Sequence, residues 1–391
     1  MKKMTTLKLA VLQLWNRKTR LIVQWVMVIL GFGLISGFFT LQSSVDDQLV
    51  SDLGDVNQVW TAKGSPLQGL LANVYHMDAP LGNIALQEVK PWLKNPMVER
   101  ASLIGYGDTY KGRRILGTDS TWKSIYNLTL SDGSWPVNTM DVVLSKSLSS
   151  ELGLSIGDNF QGQHGESADE HHHEEKYHVV GLFDNSQTVA DRLLITPLSS
   201  VWHVHHISEE EQAVTAVLVK TNSPMAMFQL PRVINEKSTF QAILPSIEVN
   251  RIYALLGNTK SAFIVLSVLF LLLGVFSISI TLYEVMRAQQ FDHTLLRVFG
   301  LSPRRLGAMI YLQAFFITSS GWVIGVGIIK LIQVLYRSQI AQKFGVNLAP
   351  PTLTPTDIYL FSLAVLLALV VSVPVIIRIF KMTIHKNIKN A

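Results

Sequence analysis

The residues His164 to His178 read HGESADEHHHEEKYH, a density of imidazole and carboxylate found nowhere else in the chain. Neutral imidazole and carboxylate oxygen are ligands for Zn²⁺, and by the general affinity order for Ni²⁺ or Cu²⁺. The metal candidates are His164, Glu170, His171, His172, His173 and His178, with Glu166, Asp169, Glu174 and Glu175 beside them. On an extended chain alternate side chains point to opposite sides, so His171 and His173 share one side and His172 takes the other. A single tetrahedral site is therefore built more easily from His171 and His173 with His164 or His178 than from three neighbours. Two other readings stay open: a solvated polar loop, and a pH-responsive contact, because several histidines charge together near pH 6. The run is internal and broken by acids, which speaks against a purification tag. A second group, WHVHHISEEE, holds His203, His205 and His206. Its Trp202 and Val204 predict a strand edge with outward histidines, and His76, standing alone, reads as a surface residue.

These side chains need a scaffold, and the flanks GDNFQG and KYHVVGLF supply one: two strands whose connection places the histidines at a hairpin tip. Other short alternating or apolar runs bounded by Gly, Asp and Pro read as strands, among them VERASLIGYGDTY, RRILGTD, RLLITPL and QAVTAVLVKT. DVVLSKSLSSELGLSIGDNF reads as strand, short helix with Leu148, Leu152 and Leu154 inward, turn and strand.

The chain as a whole is not an ordinary soluble protein. Of its 391 residues 48% are hydrophobic and 16% charged, too apolar for an average soluble enzyme. Four segments, about 21–41, 261–283, 306–335 and 357–380, are long and apolar enough to cross a bilayer core. The first follows Lys2, Lys3, Lys8, Arg17, Lys18 and Arg20 with no acid among them, a cytoplasmic flank by the positive-inside rule. A cleaved signal peptide is disfavoured, since the apolar run is too long and Gln42-Ser43-Ser44-Val45 is a poor cleavage site. Residues 1–20 read as a cytoplasmic amphipathic helix. Basic flanks at 284–305 and 381–391 put both termini and the 284–305 loop on the cytoplasmic side, leaving 42–260 and 336–356 outside. Lys330 lies near the outer end of its span, where its stem can snorkel, and Pro374 bends the last one.

The expected architecture is thus a membrane protein with four transmembrane α-helices, one before and three after a large extracytoplasmic α+β domain at 42–260, built as two lobes. Nine of the eleven histidines and nearly all the acids fall within that domain. With no cysteine, neither a disulfide nor a thiolate metal site can form. No G-x-x-x-x-G-K-[ST] phosphate loop, G-x-S-x-G elbow or H-E-x-x-H helix occurs. GLISG and GVGIIK carry glycines at the wrong spacing, inside membrane helices. The spans also lack the ladder of acids, histidines or arginines that ion pathways use. An ion channel is opposed on that ground, and the charge distribution points to no nucleic-acid partner.

One family shows this layout with matching motifs. LAVLQLWNRKTRLIVQWVMVILGFGLISG resembles the amphipathic helix and first span of MacB/LolC/LolE/FtsX-type permeases of ATP-binding cassette systems. DVVLSKSLSSELGLSIGDNF with HVVGLF and RLLITPLSSVW is similar to their outer-domain pattern, and YEVMRAQQFDHTLLRVFGLSPRRLGAMIYLQAF to their cytoplasmic element between the second and third spans. Asp292-His293-Thr294 and Val298-Phe299 depart from that element, and the carboxyl end lacks the family's terminal motif. The resemblance implies a permease subunit that is not itself an enzyme and works by mechanotransmission in the bacterial inner membrane. A separate cytoplasmic ATPase dimer would dock on Glu284, Arg287, Phe291, Leu295, Leu296, Arg297, Gly300 and Arg304, and ATP would enter only through that partner. The permease would pair with a second copy or a paralogue, with a periplasmic protein as a further partner. No cofactor is required, and resemblance to members with His-rich inserts raises the zinc reading. The alternative is a membrane-anchored metal-binding receptor with no ATPase.

Overall fold

The computed structural model describes residues 18–163, 172–288, 300 and 302–381. Two compact units emerge, one formed by residues 1–44, 256–340 and 348–391, the other by 45–255 and 341–347.

The first unit holds the apolar helices. They are α1 (Lys18–Leu53), α8 (Pro245–Ala288), α9 (Pro303–Phe344) and α10 (Pro355–Lys381), numbered with the shorter helices given below. Each is long and apolar enough to cross a membrane, so the chain is a multi-pass membrane protein. The helices outrun the apolar stretches expected from sequence. At 1.5 Å per residue α1 alone is about 54 Å long, against a hydrocarbon core of about 30 Å. The reason is that polar residues such as Gln42, Ser43, Asp46 and Asp47 end the apolar run without breaking helical hydrogen bonding.

Close packing in this unit depends on missing side chains. A Cβ on Gly325 of α9 would lie 2.7 Å from the Ile29 carbonyl oxygen of α1, and one on Gly321 would lie 2.5 Å from Val28 Cγ1. Across the contact, a Cβ on Gly33 would meet the Gly325 carbonyl oxygen at 3.4 Å. The spacing GLISG (33–37) on α1 and GWVIG (321–325) on α9 is thus the small-xxx-small pattern by which membrane helices bring backbones together. Around this seam Val28, Phe32, Leu271, Ile278, Met309 and Ala314 are buried.

The second unit is α/β. In chain order its elements are β1 (Gln58–Ala62), α2 (Pro66–Asn73), β2 (Ile84–Ala85), α3 (Leu86–Leu93), β3 (Val98–Tyr110), β4 (Arg113–Thr118), α4 (Trp122–Ile125), β5 (Leu130–Gly133), β6 (Asp141–Ser145), α5 (Lys146–Leu152), β7 (Asn159–Gln163), β8 (His172–Phe183), a 3₁₀ turn (Val189–Arg192), β9 (Leu194–Pro197), α6 (Leu198–Val204), β10 (Ala213–Val214), β11 (Ala216–Thr221), α7 (Pro224–Lys237) and β12 (Phe240–Ile243). One sheet takes the order β12-β1-β11-β3-β4-β9-β6-β8-β5, with β7 pairing both β3 and β8. It is mixed: β4 with β9 and β6 with β8 are parallel, the other pairs antiparallel. This sheet runs through the unit formed by 45–255 and 341–347.

Local chemistry explains several of these elements. Ser65, Ser145 and Ser223 each accept a hydrogen bond from a backbone N–H in the first turn of the helix that follows, and Gly153 closes α5 in the left-handed region. Leu148, Leu152 and Leu154 point inward as the sequence predicts. The WHVHH stretch does not form a strand edge: Leu198–Val204 is helical. Leu198, Val201 and Val204 recur at helical spacing and are buried, and the sheet beneath has no side chains in their way. A Cβ on Gly117 would stand 2.4 Å from Val201 Cγ2, and one on Gly105 would stand 2.8 Å from Leu198 Cδ1.

Candidate functional site

Three places in the chain hold the residues with functional potential. The first is the element between α8 and α9. Glu284 and Arg287 are exposed on the last turns of α8, beside Leu282 and Met286, which are buried. Arg304 is exposed on the first turn of α9, where Leu306 and Met309 turn inward. Gly300, at φ +90°, occupies a conformation that suits glycine, just before the Pro303 start of that helix. Phe291, Leu295, Leu296 and Arg297 lie outside the described residues.

The second is a polar staple within the membrane helices. Thr354 caps α10: its hydroxyl accepts from Asp357 N–H at 3.3 Å, and the Asp357 carboxylate accepts from Thr354 N–H and Oγ at 2.9 Å each. This is the reciprocal arrangement of a capping box. Asp357 Oδ1 also accepts from Ser36 of α1 at 2.7 Å, and Oδ2 stands 3.1 Å from Lys330 Nζ of α9. Trp322 of α9 donates to the Asp357 carbonyl at 3.1 Å. Lys330 therefore does not snorkel. Its ammonium ends on a buried carboxylate, because burial of a charge is tolerable only with a partner.

The third holds the outer end of α1 within the α/β unit. Asp52 is paired with Arg192 at 3.0 Å and accepts from Gln48 at 2.7 Å. Asn347 donates to Gln48 Oε1 through its backbone and side-chain nitrogens, at 3.1 and 3.0 Å. Tyr75 and Tyr126 donate to the carbonyls of Leu49 and Asp52 at 3.2 and 3.3 Å. His76 is not a surface residue. The Tyr106 hydroxyl donates to the Ala72 carbonyl, so the His76 Nδ1–H must be the donor to Tyr106, leaving Nε2 buried without a partner among the described residues. Burial, and then the charges of Arg114 and Arg192, hold the His76 pKa well below the usual range.

Of the predicted metal ligands, His164, Glu170 and His171 lie outside the described residues, and His172 and His173 open β8. Gln163 pairs with His172 across the antiparallel β7–β8 ladder, so the histidine run connects these two strands. His178 is engaged otherwise, with Nδ1 2.8 Å from Asn159 Oδ1. Among the described residues no group of three or more His, Asp or Glu side chains is placed to hold a metal ion.

Comparison with known proteins fits this layout. The MacB-like periplasmic core domain model matches residues 26–236, more than half of the chain, and the FtsX-like permease C-terminal model matches residues 264–384. The chain is a MacB/FtsX-type permease. Such permeases are membrane-embedded, serve ABC transporters and work with cytoplasmic ABC ATPases, so catalysis normally resides in a separate subunit. A search of curated proteins finds no match. Among solved structures, the permease is similar to the periplasmic region of MacB from Actinobacillus actinomycetemcomitans, with 12% identity over 52% of this chain and 95% of that one and a TM-score of 0.36. It is also similar to the extracellular domain of the noncanonic ABC-type transporter YknZ from Gram-positive bacteria, with 13% identity over 48% and 100% and a TM-score of 0.33.

Two of the three places escaped the sequence reading. The Thr354-Pro355-Thr356-Asp357 capping box and the two small-xxx-small repeats were signals that could have found the staple and the helix seam. Asp52 and Arg192, 140 residues apart, offered none.

Proposed function

We propose that this permease works by mechanotransmission: a cytoplasmic ATPase dimer docks on the element from Glu284 to Arg304, and nucleotide-driven movement there displaces the α/β unit on the opposite side of the membrane. Both termini are cytoplasmic in this reading, and the working form pairs two copies or one copy with a paralogue. The observation that carries it is that α1 and α8 are unbroken helices whose residues fall in both compact units. A hydrogen-bonded helix resists bending, so displacement at its inner end reaches residues such as Asp52. There the Arg192 pair and the Gln48–Asn347 bonds fasten it. The membrane helices, whose apolar stretches hold the buried Lys330–Asp357 pair and no ladder of charges, suit a lever better than a polar conduit. Zinc enters the proposal through the histidines between β7 and β8, as a regulator or as part of the cargo handled outside.

Arg297→Glu combined with Leu296→Asp should abolish co-purification of the ATPase while membrane insertion is unchanged. Full retention of the ATPase would refute the docking element. If the wild-type permease carries no ATPase at all, the receptor reading takes its place.

A further inference from the structure

The helix α6 brings a histidine to the carboxylate face of β8. Its buried side is Leu198, Val201 and Val204, of which the first two lie on the glycine floor of β3 and β4. This leaves His203, on its last turn, with Nε2 3.3 Å from Glu175 Oε1. Among the described residues the other oxygen, Oε2, is buried with no hydrogen-bond partner, and so is the hydroxyl of Tyr177, a residue only 1% exposed. Tyr177 is two residues from Glu175 along β8, near enough to feel its charge. Its hydroxyl lies over Gly107, where a Cβ would be 3.6 Å from it. Burial, followed by the negative charges of Asp108 and Glu175, raises the Tyr177 pKa, so two acids share this neighbourhood.

A histidine and a glutamate in contact are often no more than an ion pair, but here two buried polar atoms beside them point further. A charge-assisted N–H···O bond closes to about 2.7–2.9 Å. Two ligands on a tetrahedral ion, at bond lengths of about 2.0–2.2 Å, stand roughly 3.3 Å apart. The 3.3 Å between His203 Nε2 and Glu175 Oε1 accommodates either arrangement. An ion pair also leaves Glu175 Oε2 and the Tyr177 hydroxyl without a partner among the described residues, which is unfavourable for buried polar groups. A bound cation carrying water would satisfy both, since the phenol can hydrogen-bond a water ligand. His203, with 55% of its side chain exposed, leaves the place open to solvent.

We propose that Glu175 and His203, backed by the Tyr177 hydroxyl, form an open binding site for a divalent cation of the zinc class, completed by water. Imidazole with carboxylate selects Zn²⁺ and its Irving–Williams neighbours over Mg²⁺ or Ca²⁺. The site uses none of the residues between β7 and β8 and does not depend on ATPase docking, so the two proposals fail separately.

The test is calorimetric titration of Zn²⁺ into the full chain in detergent, in a background where His164, His171, His172 and His173 are changed to Ala. We expect about one Zn²⁺ per chain, bound at least tenfold more weakly after His203→Ala or Glu175→Gln, and no competition by millimolar Mg²⁺. A Zn²⁺-dependent rise in apparent Tm should disappear in Glu175→Gln, a near-isosteric change that spares the fold. A background protein that binds no Zn²⁺, or a His203→Ala form that binds as tightly as its parent, overturns the proposal.

Discussion

Lys330 of α9 and Asp357 of α10 face each other at 3.1 Å inside the membrane unit, with Asp357 also accepting from Ser36 of α1. One carboxylate therefore joins three helices. Removing one member leaves the other charge buried and uncompensated, at a cost of about 3–5 kcal/mol. Lys330→Met and Asp357→Asn should each destabilise the full chain strongly, and the double variant should lose less than their sum. The coupling expected from an SDS-unfolding double-mutant cycle is about 1–3 kcal/mol.

The glycine seam makes a sharper test because it contains its own control. A Cβ at Gly325 would meet the Ile29 backbone oxygen at 2.7 Å, and backbone yields little, whereas a Cβ at Gly327, two residues on, meets nothing within 4 Å. Gly325→Ala should destabilise by about 1–3 kcal/mol through overpacking. Gly327→Ala should be neutral or slightly stabilising, since alanine is the better helix former. Apparent Tm values of the two variants in one detergent decide the point.

His76 gives the α/β unit a dependence on pH. Its folded-state pKa lies well below the usual 6.5, so below about pH 6.5 the unfolded chain takes up a proton that the folded chain refuses. The stability held by the neutral imidazole is complete above that pH. It is lost as pH falls toward the folded value, by up to about 1.4 kcal/mol per pH unit. Thermal melts at pH 5.5 and 7.5 should differ for the wild type and differ less for His76→Asn, which tolerates the left-handed backbone at this position (φ +54°).

What the sequence disclosed follows from how local each signal is. Apolar length marked four helices, and alternation placed β3 over the same residues as VERASLIGYGDTY. The histidine group in WHVHH misled because Trp202 and Val204 alternate as in a strand. Leu198, Val201 and Val204 also carry a helical period, and the glycines that decide between the two lie about eighty to a hundred residues upstream, in β3 and β4. Lys330 looked like a snorkelling residue because its partner is set by the packing of α9 on α10, which no local pattern encodes. The histidine-rich connection and the centre of the element between α8 and α9 are the easiest residues to read as chemistry, and most of them lie outside the described residues.

The central claim is that nucleotide binding by the ATPase moves the α/β unit. The absence of cysteine from the chain permits site-specific spin labelling without prior substitutions. Val137 is 80% exposed in the α/β unit, and Leu353 is 62% exposed in the membrane unit. Both changed to Cys in one chain give a distance that does not depend on whether the permease pairs with itself or with a paralogue. Measured by double electron–electron resonance in the reconstituted complex, the Val137–Leu353 distribution should shift between nucleotide-free and ATP-trapped states. The same distribution in both states, with the ATPase bound and hydrolysing, would contradict the account.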